Sequence, residues 1–214
     1  MSCAICEVRK EKRFCPAIHG RICPQCCGEQ REVTLDCPSE CVYLKQARIH
    51  EKPRLADDLD HSILFPEVQI QQKFLYEHEH LIMGISFALA KSARANREIK
   101  DAELIAALSA MSSNYETLVN SRLHYETPIA SLAQQAVIAE VQSMVKQYRE
   151  TEHQHLGYNR LRDADVLGAL VFLVRMGYGR TSGRPKSRAF ADFLVGQFPD
   201  RASSNAAASS IILP

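Results

Sequence analysis

The stretch CAICEVRKEKRFCPAIHGRICPQCCGEQREVTLDCPSEC, residues 3–41, contains all eight cysteines of this 214-residue chain. Four thiolates complete the tetrahedral coordination of one zinc ion, so eight cysteines predict two zinc ions. The predicted ligands are Cys3, Cys6, Cys15, Cys23, Cys26, Cys27, Cys37 and Cys41. A segment of about 40 residues buries too little apolar surface to fold alone, and bound zinc would add on the order of 10 kcal/mol per site.

A disulfide framework is the competing use of these cysteines. Disulfides belong to oxidising compartments, and a secretory signal normally accompanies them. The N-terminus, MSCAICEVRKEKR, has no apolar stretch before the first cysteine. The best apolar run, residues 166–174, is about half the length of a membrane span. We therefore expect a cytoplasmic protein without a membrane partner, whose thiols bind zinc; iron–sulfur or redox use is the remaining alternative.

The residues beside the cysteines also favour metal binding. In Cys23-Pro24-Gln25-Cys26, followed by Gly28, proline fixes one turn residue and glycine can take a positive φ. Such a turn lets backbone N–H groups point at thiolate sulfurs.

Through Cys26, the cysteine spacing resembles that of a B-box-type, cross-braced zinc finger, and the resemblance covers residues 3–41. It implies one metal held by Cys3, Cys6, Cys23 and Cys26. It implies a second metal held by Cys15, Cys37, Cys41 and one further ligand. What the family implies for function is protein–protein interaction or assembly, not catalysis.

The chain departs from the B-box pattern at two points. The family's fourth ligand would fall on His19, and its closing pair is usually histidine and comes sooner than Cys37-x3-Cys41. Cys27 is the other candidate for the fourth ligand, and we prefer it because it would otherwise be a free thiol beside a metal-bound cysteine. His19 stays the alternative.

The rest of the chain is predicted to be mostly α-helical. We expect a zinc module with a trailing helix (residues 43–50) over residues 1–52, a linker over 53–62, an all-α bundle of about five helices over 63–199, and a disordered tail over 200–214. The predicted bundle helices run from Pro66 to about residue 96, from Asp101, from Thr127-Pro128 to Gly157, from Asp163 to Met176 with Gly177 closing it, and from Ser187 to Pro199. Residues 164–176 are apolar on nearly all sides and predict the central, buried helix.

The overall charge says little about partners, because 26 basic residues face 25 acidic ones. Locally, a loop without acids carries Arg175, Arg180, Arg184, Lys186 and Arg188. A Gly-rich basic loop before a helix can bind an anion, although a solvated interhelical loop explains the same residues. The zinc segment adds the cations Arg9, Lys10, Lys12, Arg13, Arg21 and Arg31.

Two Glu-His-x-His-Leu segments give a further candidate site. Glu77 with His80, and Glu152 with His155, have the i, i+3 spacing found in di-iron carboxylate bundles. We prefer the simpler explanation, that these are two Glu/His-rich turns on the surface. No nucleophile–base arrangement is evident, so no catalytic residue is predicted.

The function expected from the sequence is that of a non-enzymatic, zinc-binding interaction or regulatory protein with a protein partner. The first alternative is nucleic-acid binding by the basic residues, and the second is a di-metal oxidoreductase. The sequence leaves homo-oligomer formation open.

Overall fold

A computed structural model describes residues 1–51, 61–125 and 127–199. The described residues are 61% helical and form eight α-helices and one small two-stranded sheet. This confirms the mostly-α architecture, in which a small cysteine-rich module precedes a helical bundle. The tail over 200–214 and most of the predicted linker lie outside the described residues.

The cysteine module, residues 1–41, is built on a β-hairpin. Strands β1 (Arg13–Cys15) and β2 (Gly20–Ile22) are antiparallel, with Phe14 opposite Arg21. Because side chains alternate along a strand, Cys15 and Ile22 face the core while Phe14 and Arg21 face solvent. The sheet therefore delivers one cysteine to the interior of the module.

Two helices follow the hairpin. Helix α1 (Pro24–Gln30) has Cys23 as its N-cap and Pro24 in its first turn, where the fixed φ of proline suits a helix start. Helix α2 (Val42–His50) begins directly after Cys41, as predicted to within one residue, and buries Leu44.

The bundle has six helices after a 3₁₀ turn (His61–Leu64). They are α3 (Gln72–Glu77), α4 (Glu79–Ala95), α5 (Asp101–Ser121), α6 (Leu132–Leu156), α7 (Asp163–Arg180) and α8 (Ala189–Gln197). Helix α7 packs against α4, α5 and α8, and α6 covers α4 and α5. The nearly continuous burial of α7 confirms the prediction that this apolar segment is the central helix.

Two glycines allow close helix approaches in the bundle. A Cβ on Gly168 would lie 2.6 Å from the Cζ of Phe74, and one on Gly84 would lie 2.7 Å from the Sδ of Met144. Real Cβ atoms do not approach neighbours this closely, so these positions set how near α3 lies to α7 and α6 to α4.

The prediction of a single helix from Pro66 to residue 96 is wrong. The segment forms α3 and α4, which meet at His78 (φ −115°, ψ 21°), and α3 begins only at Gln72. Arg175 explains the late start, because its guanidinium donates to backbone carbonyl oxygens of residues 64, 65 and 68 at 2.8–2.9 Å. These bonds hold a turn in which Phe65 has a φ of 52°.

Two helix starts also differ from the prediction. Helix α6 begins at Leu132 with Ser131 as its N-cap, because Thr127 donates instead to Asn114 Oδ1 from its N–H and Oγ. Helix α8 begins at Ala189, two residues later than predicted.

The predicted end of α6 is confirmed, and the predicted end of α7 is wrong. Gly157 ends α6 in a left-handed conformation, as predicted. Gly177 does not end α7; it lies inside the helix, where a Cβ would come 2.8 Å from Ile105 Cγ1. Packing against α5, not chain termination, accounts for this glycine.

Candidate metal centre

The structure brings four thiols together in the cysteine module. The Sγ atoms of Cys3, Cys6, Cys23 and Cys26 all lie within 4.8 Å of one another. A tetrahedral zinc ion with Zn–S bonds of about 2.3 Å requires sulfurs about 3.8 Å apart, so this set fits the ion. These are the four residues that the resemblance to a cross-braced finger assigns to one metal.

Backbone N–H groups point at two of the sulfurs. Cys3 Sγ accepts from the N–H of Cys23 at 3.2 Å and from that of Ile5 at 3.5 Å. Cys23 Sγ accepts from the N–H of Cys26 at 3.4 Å, a bond made available because Cys23 caps α1. Such donors stabilise thiolates and orient them toward a cation.

The same contacts shift the acidities of the thiols. Burial disfavours the Cys3 thiolate, yet N–H bonds, above all from Cys6 and Cys23, outweigh it and lower the pKa of Cys3 to about 6. The N–H of Cys26 lowers the pKa of Cys23. Burial and the neighbouring thiols raise the pKa of Cys26 to about 12. Neighbouring thiolates repel one another, and a bound dication would offset that repulsion.

Arg9 adds a positive charge beside these thiols, at a place that sequence reasoning missed. Its Nη1 lies 3.6 Å from Cys23 Sγ and 4.0 Å from Cys26 Sγ. A zinc ion bound by four thiolates would carry a net charge of −2, and this guanidinium would offset part of it. Nothing in the spacing of the cysteines distinguishes Arg9 from the neighbouring basic residues.

The other four cysteines do not form a second set as tight as the first. Cys15 and Cys27 are buried in the module core, with Cys37 packed against them, and Cys41 caps α2. Burial raises the pKa of Cys37, and the nearby thiols of Cys41 and Cys15 act in the same direction. Among the described residues, no second group of three potential ligands reaches the mutual distance of the first set.

The alternative ligand, His19, lies in a different environment. It sits in the turn between β1 and β2, where its φ is 49°, and its side chain is exposed. Cys27, by contrast, is 7% exposed.

Comparisons of the chain with known protein families, with curated proteins and with solved structures find no match.

No helix within the described ranges combines the length and apolarity that crossing a membrane requires.

The loop at the end of α7 contacts the cysteine module. Arg184 Nη1 donates to the carbonyl oxygens of Gly28 at 3.1 Å and Arg31 at 2.6 Å. Lys186 donates its N–H to Glu32 O at 2.8 Å and its Nζ to Thr34 O. These cations satisfy carbonyl groups at and beyond the C-terminal end of α1, where a helix favours positive charge.

The predicted basic loop is shorter than expected, because Arg175 and Arg180 lie within α7. These two cations and Arg188 also have partners inside the chain. Arg175 holds the turn before α3, and burial lowers the pKa of Arg175. Arg180 lies over the ring of Phe193, 3.4 Å from its centroid. Arg188 is 7% exposed and donates to three backbone carbonyls, including that of Ala93 at 2.9 Å. All five basic residues therefore have structural roles in this fold.

Glu32 is the centre of the contact between the module and the bundle. Its side chain is 1% exposed and its φ is 56°. The carboxylate accepts from Arg48 Nη2 at 2.9 Å and from Ser182 Oγ at 3.0 Å. Arg48 also donates to Asp192 Oδ2 of α8 at 2.8 Å. Outside this cluster, Lys100 Nζ reaches Asp36 at 2.9 Å.

The two Glu-x-x-His units are not joined into a metal site. Glu77 and Glu152 line one cavity of about 580 Å³, whereas His80 and His155 are exposed on the surface. Glu152 Oε2 accepts from the N–H groups of residues 160 and 161 at 2.8 Å, which gives it a structural partner. Within the described residues, the cysteine set is the only group of three or more potential metal ligands whose ligand atoms all lie within 4.8 Å of one another.

Proposed function

We propose that this chain is a zinc-binding, non-enzymatic interaction or regulatory protein. It binds another macromolecule through the cysteine module and the helical bundle. The observation that carries the proposal is the closed set of four sulfurs of Cys3, Cys6, Cys23 and Cys26. A metal with four protein thiolates has no position left for water or substrate, which is the mark of structural and not catalytic zinc.

Zinc is the proposed metal, with two ions per chain in a cytoplasmic setting. Thiolate sets of this kind suit zinc or iron, and no redox step is needed to explain the fold. The second ion would take Cys15, Cys27, Cys37 and Cys41, which requires a local shift that metal binding can drive. The B-box-like spacing of the first five cysteines supports a module for protein contacts.

Metal content of the purified full-length chain tests this part of the proposal. Elemental analysis should give two zinc ions and no iron. Cys3→Ser and Cys37→Ser should each reduce the zinc content by one, while Ser39→Ala, a neighbouring change without a thiol, should leave it at two. A wild-type content of one zinc with Cys37→Ser unchanged would limit the proposal to the first centre, and iron would overturn it.

The binding activity is tested by cross-linking in native extract. A partner that is captured by the wild-type chain, survives nuclease treatment and is lost with Cys3→Ser supports a protein-binding module. Recovery of the same proteins with wild-type and Cys3→Ser chains would contradict the proposal, because binding would not depend on the folded module.

Nucleic-acid binding is the alternative function, and fewer basic residues are available for it than the sequence suggests. The cations at the end of α7 and in the loop after it have partners inside the chain. The alternative would therefore rest on the basic residues of the cysteine module. Salt-sensitive retention of the wild-type chain on DNA or RNA would favour it over the protein-binding proposal.

A further inference from the structure

We propose that the outer face of the β-hairpin, formed by Lys12, Phe14 and Arg21, docks an acidic segment with apolar side chains from a protein partner. This inference rests on the proposed function and specifies its surface and the chemistry of its partner.

The bundle covers one side of the module and leaves the hairpin in solvent. The carbonyl groups of Gly28, Arg31 and Glu32 accept hydrogen bonds from the loop after α7. None of the bonds to the bundle comes from β1 or β2 in the described structure. A partner of the module would therefore approach from the hairpin side.

The exposed face of the hairpin combines an aromatic ring with positive charge. Phe14 is 52% exposed and stands directly opposite Arg21 in the strand register. Lys12, two residues before Phe14, is also exposed, and Ile18 at the tip of the hairpin is 41% exposed. The inward face carries Cys15 and Ile22, so the hairpin core does not need Phe14.

The local charge favours a negatively charged partner. Residues 7–21 hold five cations and two carboxylates, a net charge of +3. Arg9 serves the thiolates and Arg13 stacks on Tyr43 at 4.6 Å. Lys10 and Lys12 remain exposed and have no ion pair among the described residues. Complementary charge speeds association and fixes the register of a partner.

The carboxylate of Glu11 and the single aromatic ring of the hairpin favour a peptide over a nucleic acid as the partner. Glu11 pairs with Arg21 at 3.2 Å, which places a carboxylate at the edge of this face. A continuous phosphate backbone would meet that carboxylate, whereas a peptide can alternate acidic and apolar side chains around it. Single-stranded nucleic acids are usually held by several stacked aromatic rings, and β1 and β2 offer only Phe14.

The test is selection of peptides on the immobilised full-length chain. A displayed library of random peptides of about 12 residues would be selected on wild type, with random single-stranded DNA and RNA pools in parallel. We expect enrichment of acidic sequences that contain Leu, Ile, Phe or Trp. Their affinity should fall about tenfold or more with Phe14→Ala, and similarly with Lys12→Glu combined with Arg21→Glu.

Matched controls separate loss of the surface from loss of the fold. Lys146→Glu changes an exposed lysine on α6 and should leave peptide affinity unchanged. The hairpin variants should keep the zinc content and circular dichroism of wild type, because Phe14 and Arg21 are exposed. Enrichment of basic or neutral peptides, equal affinity of the hairpin variants, enrichment of nucleic acid alone, or no enrichment would each overturn the inference.

The two proposals can fail separately. A cross-linked partner that depends on Cys3 but is retained by Phe14→Ala would leave the interaction function standing and refute this surface. Absence of any partner that depends on the folded module would refute the function itself.

Discussion

Removing the carboxylate of Glu32 should weaken the attachment of the cysteine module to the bundle. Loss of one partner of a buried ion pair costs about 3–5 kcal/mol. Arg48 would keep Asp192 at 2.8 Å and is 21% exposed, so its charge would stay partly paired. We therefore expect about 3 kcal/mol for Glu32→Ala. For a chain of this size, that loss lowers Tm by about 6–12 °C.

Two measurements at fixed zinc concentration check this value. Urea unfolding followed by circular dichroism should report the loss of about 3 kcal/mol, or about 2 kcal/mol for Glu32→Gln, which can still bond Ser182. Hydrogen exchange should report the attachment itself through the Lys186 N–H, which donates to Glu32 O at 2.8 Å. If the module detaches locally, that amide should exchange about a hundredfold faster.

An exposed glutamate in the same module supplies the control. Glu40→Gln should change stability by less than about 0.5 kcal/mol. A Glu32→Ala variant within the same limit, with unchanged exchange at Lys186, would refute the argument that this carboxylate holds the two parts together.

Two further predictions concern the bundle. Gly168→Ala should destabilise the chain by about 1–3 kcal/mol, because its Cβ would meet the Phe74 ring at 2.6 Å. Gly196→Ala, which has nothing within 4 Å of the added Cβ, should be neutral or stabilising by up to about 1 kcal/mol. Chemical denaturation measures both free energies of unfolding, and equal effects would contradict the packing argument. Burial opposes ionisation of Asp165, but hydrogen bonds from Arg162 outweigh it and lower the pKa of Asp165. The stability that the ionised Asp165 contributes is therefore complete above the ordinary aspartate pKa and is lost as pH falls through the lowered pKa. In the Asp165→Asn variant, the free energy of unfolding should fall less steeply as the pH is lowered below the ordinary aspartate pKa. The same steepness in wild type and variant would contradict this.

The cysteines and the apolar helix faces were predictable because both depend on local sequence. The resemblance to a cross-braced zinc finger implied the grouping of Cys3 with Cys26, and the all-round apolarity of α7 identified the central helix. Helix α1 could also have been found, since Pro24 directly after a capping residue is a common helix start.

The attachment of the module to the bundle could not be predicted, because it joins residues that are distant in sequence. Glu32 has a polar, unremarkable sequence environment, and only the fold brings Arg48 and Ser182 to its carboxylate. The basic loop shows the same limit. Its composition was compatible with an anion site or with a solvated loop, but Arg184 instead donates to the carbonyl groups of Gly28 and Arg31 at the end of α1. Charge composition does not distinguish a ligand from the chain's own backbone.

The separation of Glu32 from Ser182, 150 positions along the chain, sets an order of events during protein synthesis. At about 5–20 residues per second, a ribosome makes Ser182 roughly 8–30 s after Glu32. Throughout that interval the nascent cysteine module has no bundle to attach to, and its stability must come from its own contacts and from any metal that it binds. If the module binds zinc as proposed, a cell short of zinc would challenge this protein before its C-terminal half exists, when the thiols are most open to oxidation or to the wrong metal.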